Sequence, residues 1–173
     1  RSKSSDMPTI SPCTSHGVKI GVFLHRSSGF APWEVQGEIV GMSLDFDLAL
    51  VKIPTPEYSF TWPVIPIASK DPEVNDEIIV VGNPFGLPWD VSTGRIRNME
   101  RLINYYHKTQ FLWATSVPIN PGNSGGLAVD MEGNFVGVPC ASVIDANSYT
   151  FIIPRVIVLE FLKRNQVQPK MAS

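Results

Sequence analysis

The sequence has little cysteine, no long apolar run and no excess of charge of one sign. Two cysteines in 173 residues are too few for the disulfide framework of a small secreted domain. Cys13 and Cys140 are interpreted as buried thiols, and a disulfide between them stays open. The 14 basic and 16 acidic residues give a net charge of −2 without a basic stripe, which argues against nucleic-acid binding.

Apolar stretches of only a handful of residues predict no membrane-spanning helix. The opening residues, Arg-Ser-Lys-Ser-Ser-Asp, are not followed by the apolar core of a signal peptide. Neither observation identifies the compartment, which stays open.

The residues that are present predict an all-β protein. Hydrophobic residues make up 43% of the chain, enough for a packed core, and 13 glycines with 15 prolines predict many turns. Short runs of β-branched and aromatic residues lie between turn residues, as in a β-barrel or β-sandwich. These runs are 18–24, 34–42, 48–53, 78–81, 91–96, 111–117, 127–129, 134–138 and 149–153.

One helix and one boundary between two lobes are predicted. Residues 155–165 follow a proline, place apolar residues on one side and end in two cations, which suit a helix C-terminus. The proline-rich segment 54–66 is the best candidate for a linker. The predicted lobes are therefore residues 1–57 and 58–173, which together form one domain.

The most informative motif is Asn-Pro-Gly-Asn-Ser-Gly-Gly at 120–126. A serine between glycines can act as a nucleophile, because the backbone turns sharply and a substrate carbonyl can approach backbone N–H groups. An ordinary glycine-rich turn with an exposed serine is the alternative. The nucleophile elbow of α/β-hydrolases is excluded because its histidine follows the serine, whereas all three histidines here precede Ser124.

The order histidine, aspartate, serine remains available, and it is the order of the chymotrypsin-like double barrel. Four segments in chain order resemble the HtrA (Deg) branch of trypsin-like serine peptidases: D-L-A-L-V-K-I at 47–53, V-G-N-P-F-G-L at 81–87 with V-S-T-G-R-I at 91–96, P-G-N-S-G-G at 121–126, and Y-T-F-I-I-P at 149–154. The resemblance implies a chymotrypsin-like double six-stranded β-barrel with a short C-terminal helix. A first barrel that is incomplete at its N-terminus is left open. Leu127-Ala128 departs from the Pro-Leu that usually follows the two glycines.

The resemblance implies a Ser-His-Asp triad without cofactor or metal. Ser124 is the expected nucleophile, and the N–H groups of Gly122 and Ser124 are the expected oxyanion hole. Asp47 is the expected orienting acid, with Asp45 as its competitor.

The histidine is the open position. His16 lies 31 residues before Asp47 in C-T-S-H-G-V, which loosely resembles the family's T-x-A-H-V-V. His25 is the alternative, His107 is expected on a surface loop, and a catalytic histidine before residue 1 is the third alternative.

The primary specificity pocket is expected to include Ile119, Asn120, Cys140 and Ala141. No carboxylate is obvious at its base, so we expect an aliphatic residue before the scissile bond (P1) rather than Lys or Arg. Asp145 is the residue that could change this.

The leading hypothesis is a serine endopeptidase that acts on unfolded or extended polypeptides, with homo-oligomerisation left open. The alternative is an inactive, peptide-binding barrel, either a pseudoprotease or a truncated fragment. A lipid or small-ester hydrolase shares the chemistry but has no evident apolar pocket or lid to support it.

Overall fold

The computed structural model describes residues 19–24, 33–54, 63–86, 90–105, 108–143 and 149–173. Within these ranges the chain forms nine strands and one helix: β1 (Lys19–Leu24), β2 (Trp33–Ser43), β3 (Leu48–Lys52), β4 (Glu77–Gly82), β5 (Asp90–Tyr105), β6 (Lys108–Thr115), β7 (Leu127–Val129), β8 (Phe135–Val143), β9 (Tyr149–Pro154) and α1 (Arg155–Arg164). The all-β prediction, the nine predicted strands and the predicted helix are confirmed.

The chain divides into two compact units, one up to Pro63 and one from Val64 onward. In the first unit, the described strands form a three-stranded antiparallel sheet in the order β1-β2-β3. The predicted lobe boundary between residues 57 and 58 lies outside the described residues, so it stays a prediction.

The second unit is a closed antiparallel barrel with the strand order β4-β5-β6-β9-β8-β7. Burial alternates along β4, since Ile78 and Val80 are buried whereas Ile79 between them is only half-buried. These two side chains pack in one core cluster with Ile96, Trp113 and Ile152 from other strands. Each such buried side chain contributes about 1.5–3 kcal/mol, so the cluster fixes the barrel that carries the serine loop.

Strand β5 is longer than predicted. It continues past Ile96 to Tyr105, and its pairing with β6 shifts register between Ile96 and Asn98 and again between Asn98 and Arg101. Such bulges interrupt the alternation of apolar and polar residues that identifies a strand in a sequence. The polar stretch after Ile96 therefore shows no strand signal although it is paired.

Helix α1 directly follows Pro154 and packs against β8 and β9. Phe161 is its buried residue, and Arg155 at its start forms an ion pair with Asp71, with 2.7 Å between Nε and Oδ1. Near its end, the hydrogen bond from Arg164 lowers the pKa of Glu160. Within the described part of the chain, no helix has the length and apolar character needed to cross a membrane.

A buried polar pair joins β6 to β9. The Oγ1 atoms of Thr115 and Thr150 lie 2.6 Å apart, and Thr150 Oγ1 also donates to the carbonyl oxygen of Val117 at 2.8 Å. Thr150 is only 2% exposed, so neither group can turn to water instead. The pair therefore links these strands directly before the segment that leads to the serine loop.

We expect Thr150→Val to destabilise the protein by about 1–3 kcal/mol, because it leaves buried acceptors without their donor while the side-chain volume stays similar. Urea unfolding followed by circular dichroism measures the change. Thr93→Val, at an exposed position on β5, is the matched control and should change stability by less than about 0.5 kcal/mol. Equal effects of the two substitutions would contradict this account of the pair.

Candidate active site

The serine loop, residues 120–126, connects β6 to β7 and turns at two glycines. Gly122 has φ +106° and Gly125 has φ +79°, a region that side chains with a Cβ rarely adopt. A Cβ on Gly122 would also lie 2.5 Å from the carbonyl oxygen of Asn83. Glycine is therefore required at 122 both by conformation and by the close approach of the neighbouring chain.

Asn123 anchors the loop from inside. It is 1% exposed, its N–H donates to the carbonyl oxygen of Asn120 at 3.0 Å, and its own carbonyl oxygen accepts from the N–H of Gly126 at 3.0 Å. Its side-chain Oδ1 packs against Gly82, where any Cβ would collide with it. No role was assigned to Asn123 or Gly82 from the sequence. The available signal was that each lies in one of the motifs that resemble the family.

Ser124 is exposed at the tip of this loop. Its Oγ donates a hydrogen bond to the carbonyl oxygen of Cys140 on β8 at 3.2 Å, and the N–H of Gly125 donates to the carbonyl oxygen of Pro139 at 2.8 Å. Two hydrogen bonds thus fix the loop to β8, one of them from the serine hydroxyl itself.

Two backbone donors of the loop point to anion binding. Within the ranges that the structure describes, no carbonyl or side chain accepts a hydrogen bond from the N–H of Gly122 or of Ser124. Donors fixed in place by the surrounding hydrogen bonds can stabilise a negatively charged oxygen without reorganising. These are the two donors expected from the sequence.

The predicted pocket residues lie in the same unit. Ile119 is half-buried and packs against the barrel core, whereas Asn120 is exposed. Cys140 is buried, with its Sγ 3.4 Å from the carbonyl oxygen of Phe151. Ala141 follows on β8, where its backbone pairs with Phe151. Asp145 lies outside the described residues.

Asp47 belongs to the first unit and closes the turn between β2 and β3. It is exposed, and its φ of +53° is a left-handed conformation that aspartate tolerates better than most residues. Asp45 lies in the same turn and is half-buried. The N–H of Phe46 donates to Oγ of buried Ser43 at 3.3 Å, which holds the turn.

The histidine predictions fall outside the described residues. His16, His25 and His107 all lie there, and so does Cys13. The assignment of the general base and the pairing of the two cysteines therefore stay predictions.

The closed barrel with a serine loop between β6 and β7 defines a chymotrypsin-like fold, and solved proteases of this type superimpose on it. Residues 9–138 match the family model of the trypsin-like peptidase domain. The chain therefore belongs to the trypsin-like peptidase family, in its HtrA-type branch, and the resemblance drawn from the four sequence motifs is confirmed.

Three relatives illustrate the similarity. A probable periplasmic serine endoprotease, DegP-like, from Chlamydia trachomatis is 32% identical over 154 residues, which is 82% of this chain and 28% of the relative. The putative serine protease HhoA of Synechocystis is 37% identical over 123 residues, or 68% of this chain and 30% of the relative. The structure of the HtrA-type protease AlgW with a decapeptide has a TM-score of 0.69 and 29% identity, and it covers 78% of this chain and 42% of AlgW. The chain thus spans less than a third of the length of these two curated relatives.

Proposed function

We propose that this protein is a serine endopeptidase that cleaves unfolded or extended polypeptides. The observation that carries the proposal is the geometry of the serine loop, where the exposed residue Ser124 lies beside the backbone donors of Gly122 and Ser124. Family membership supports the reaction class. The decapeptide in the AlgW structure supports a polypeptide as the ligand.

The reaction begins with the transfer of a proton from Ser124 Oγ to a histidine. The hydroxyl must first turn away from the Cys140 carbonyl, and at 3.2 Å that hydrogen bond is long for a hydroxyl donor, so the turn costs little. Oγ then attacks the substrate carbonyl carbon, and the N–H groups of Gly122 and Ser124 bind the oxyanion. The imidazolium protonates the leaving amine. Water then takes the place of the amine, gives a proton to the histidine and attacks the acyl-enzyme, and Ser124 Oγ leaves and regains its proton.

We assign Asp47 as the acid that orients the histidine and stabilises its charged form. Its position directly before the apolar strand β3 matches the family motif. His16 is the proposed base, with His25 as the alternative.

The histidine assignment is tested by casein hydrolysis. Activity is measured against pH in the wild type and compared with the activity of three alanine variants. Only the neutral imidazole accepts a proton, so activity should rise between about pH 6 and 7.5, around an ordinary histidine pKa of about 6.5. His16→Ala should abolish this activity, and His107→Ala is the matched control that should retain it.

Loss of activity in His25→Ala alone would transfer the role to His25. Full activity in all three variants would contradict a triad that draws on these histidines. An inactive wild-type protein that still binds casein would favour the peptide-binding barrel instead.

We also propose a preference for an aliphatic P1 residue. Ile119 and Cys140 are apolar or weakly polar, and the described residues assigned to this pocket include no carboxylate. The preference is measured as the kcat/KM ratio of peptides that differ only in Val or Arg at P1. A higher value for the Arg peptide would contradict it.

A further inference from the structure

Phe85 occupies a position that favours a different residue. It lies in the 3₁₀ turn Pro84–Gly86 with φ +54° and ψ +23°, a left-handed conformation that is a genuine outlier for a bulky side chain. Glycine or asparagine would adopt it more easily. Its side chain is also 73% exposed, so the ring contributes little to the barrel core.

The backbone of this turn has a clear structural role that the ring does not share. The N–H of Phe85 donates to the carbonyl oxygen of Pro121 at 3.2 Å, and the N–H of Asn83 donates to the carbonyl oxygen of Gly122 at 3.3 Å. Buried Pro84 lies against Gly122, with its Cα 2.9 Å from where a Cβ on Gly122 would be. These contacts need only backbone atoms and the proline, so neither packing nor turn geometry explains an exposed phenylalanine.

The place of the turn indicates which part of a substrate passes near it. The serine loop contacts β8 through Ser124 and Gly125, and it contacts the Pro84–Gly86 turn through Pro121 and Gly122. The predicted P1 pocket includes Cys140 and Ala141 of β8, so the acyl part of a substrate lies toward β8. A chain that crosses Ser124 from β8 then continues toward the other contact of the loop, where Phe85 lies.

We infer that the ring of Phe85 is an apolar subsite for the residue at P1′ or P2′, directly after the scissile bond, and that it selects aliphatic or aromatic side chains there. This inference rests on the proposed peptidase function and extends its specificity to the leaving-group side. An exposed ring on a turn whose backbone contacts the serine loop can bury a substrate side chain, and small apolar differences of this kind change kcat/KM by about 10- to 200-fold.

The test compares quenched fluorescent peptides that share Val at P1 and carry Leu or Ser at P1′ or, separately, at P2′. Wild type should hydrolyse the Leu peptide of one pair with about a 10-fold higher kcat/KM. Phe85→Asn should remove this preference, because asparagine keeps the left-handed backbone but lacks the ring. Phe85→Leu should restore part of it.

Two controls separate recognition from structure. A Val methyl ester of the same acyl peptide has no primed residues, so Phe85→Asn should hydrolyse it within about twofold of wild type. Phe111→Ser, which removes another exposed phenylalanine of this unit, should leave the preference unchanged.

A parallel loss on ester and peptides in Phe85→Asn would show a structural role and overturn the inference, as would a wild type without preference at either position. In either case, hydrolysis of the ester by the wild type would leave the proposed function standing. A wild type that hydrolyses neither ester nor peptides would overturn both.

Discussion

Ser124→Ala should lower kcat for peptide hydrolysis by at least about 10⁴-fold, because the alanine has no oxygen to form the acyl-enzyme. The oxyanion donors and the peptide-binding surface remain, so substrate binding should change little. Ser124 is exposed, so its loss should alter stability by less than about 0.5 kcal/mol. Hydrolysis of a quenched fluorescent peptide with Val at P1, together with thermal unfolding, measures both effects.

Ser69→Ala is the control for this substitution, since Ser69 is also an exposed serine of the second unit. It should hydrolyse the peptide at the wild-type rate. Peptide hydrolysis by Ser124→Ala within tenfold of wild type would show that another group is the nucleophile.

Gly122→Ala should reduce kcat by about 10²- to 10³-fold, the usual effect of losing one oxyanion donor. The added Cβ would lie 2.5 Å from the carbonyl oxygen of Asn83, so the backbone at 122 must shift and move its N–H away from the oxyanion. The strain of a positive φ is added to this collision. Steady-state kinetics should therefore show a fall in kcat that exceeds any change in KM.

Gly133→Ala is the control that introduces a side chain at a positive φ without a collision. Gly133 also has a positive φ, +82°, but no heavy atom beyond its own chain neighbours lies within 4 Å of the position of its Cβ. We expect it to lower stability by about 1 kcal/mol and to leave kcat unchanged. Equal kinetic effects of the two alanines would contradict the role assigned to Gly122.

The sequence predicted the strands that have a strong local pattern. It missed the part of a strand that becomes evident only through pairing with a neighbouring strand. Strand β4 was predictable because residues 78–81 are a continuous run of β-branched residues, of which the structure buries Ile78 and Val80. The second half of β5 mixes charged and apolar residues without a regular alternation, and its pairing with β6 across two bulges makes it a strand. That pairing is a contact between distant residues, which a local pattern does not contain.

The serine loop was predictable to a similar degree. Its glycines indicated a sharp turn around Ser124, and the structure shows why Gly122 cannot be replaced. The sequence did not reveal that Asn123 is buried against Gly82, because this contact joins two motifs about 40 residues apart. The left-handed backbone of Phe85 was hidden for a related reason, since it occurs in a turn whose N–H groups donate to the distant carbonyl oxygens of Pro121 and Gly122.

Activation of Ser124 is tested most directly by reacting the purified protein with a fluorophosphonate probe and weighing the intact product, with Ser124→Ala and His16→Ala beside it. The wild-type protein should gain the mass of one adduct, and both variants should remain unlabelled. An adduct that persists in His16→Ala would move the general base to His25. A wild-type protein without an adduct, or a labelled Ser124→Ala variant, would contradict the assignment of Ser124 as an activated nucleophile.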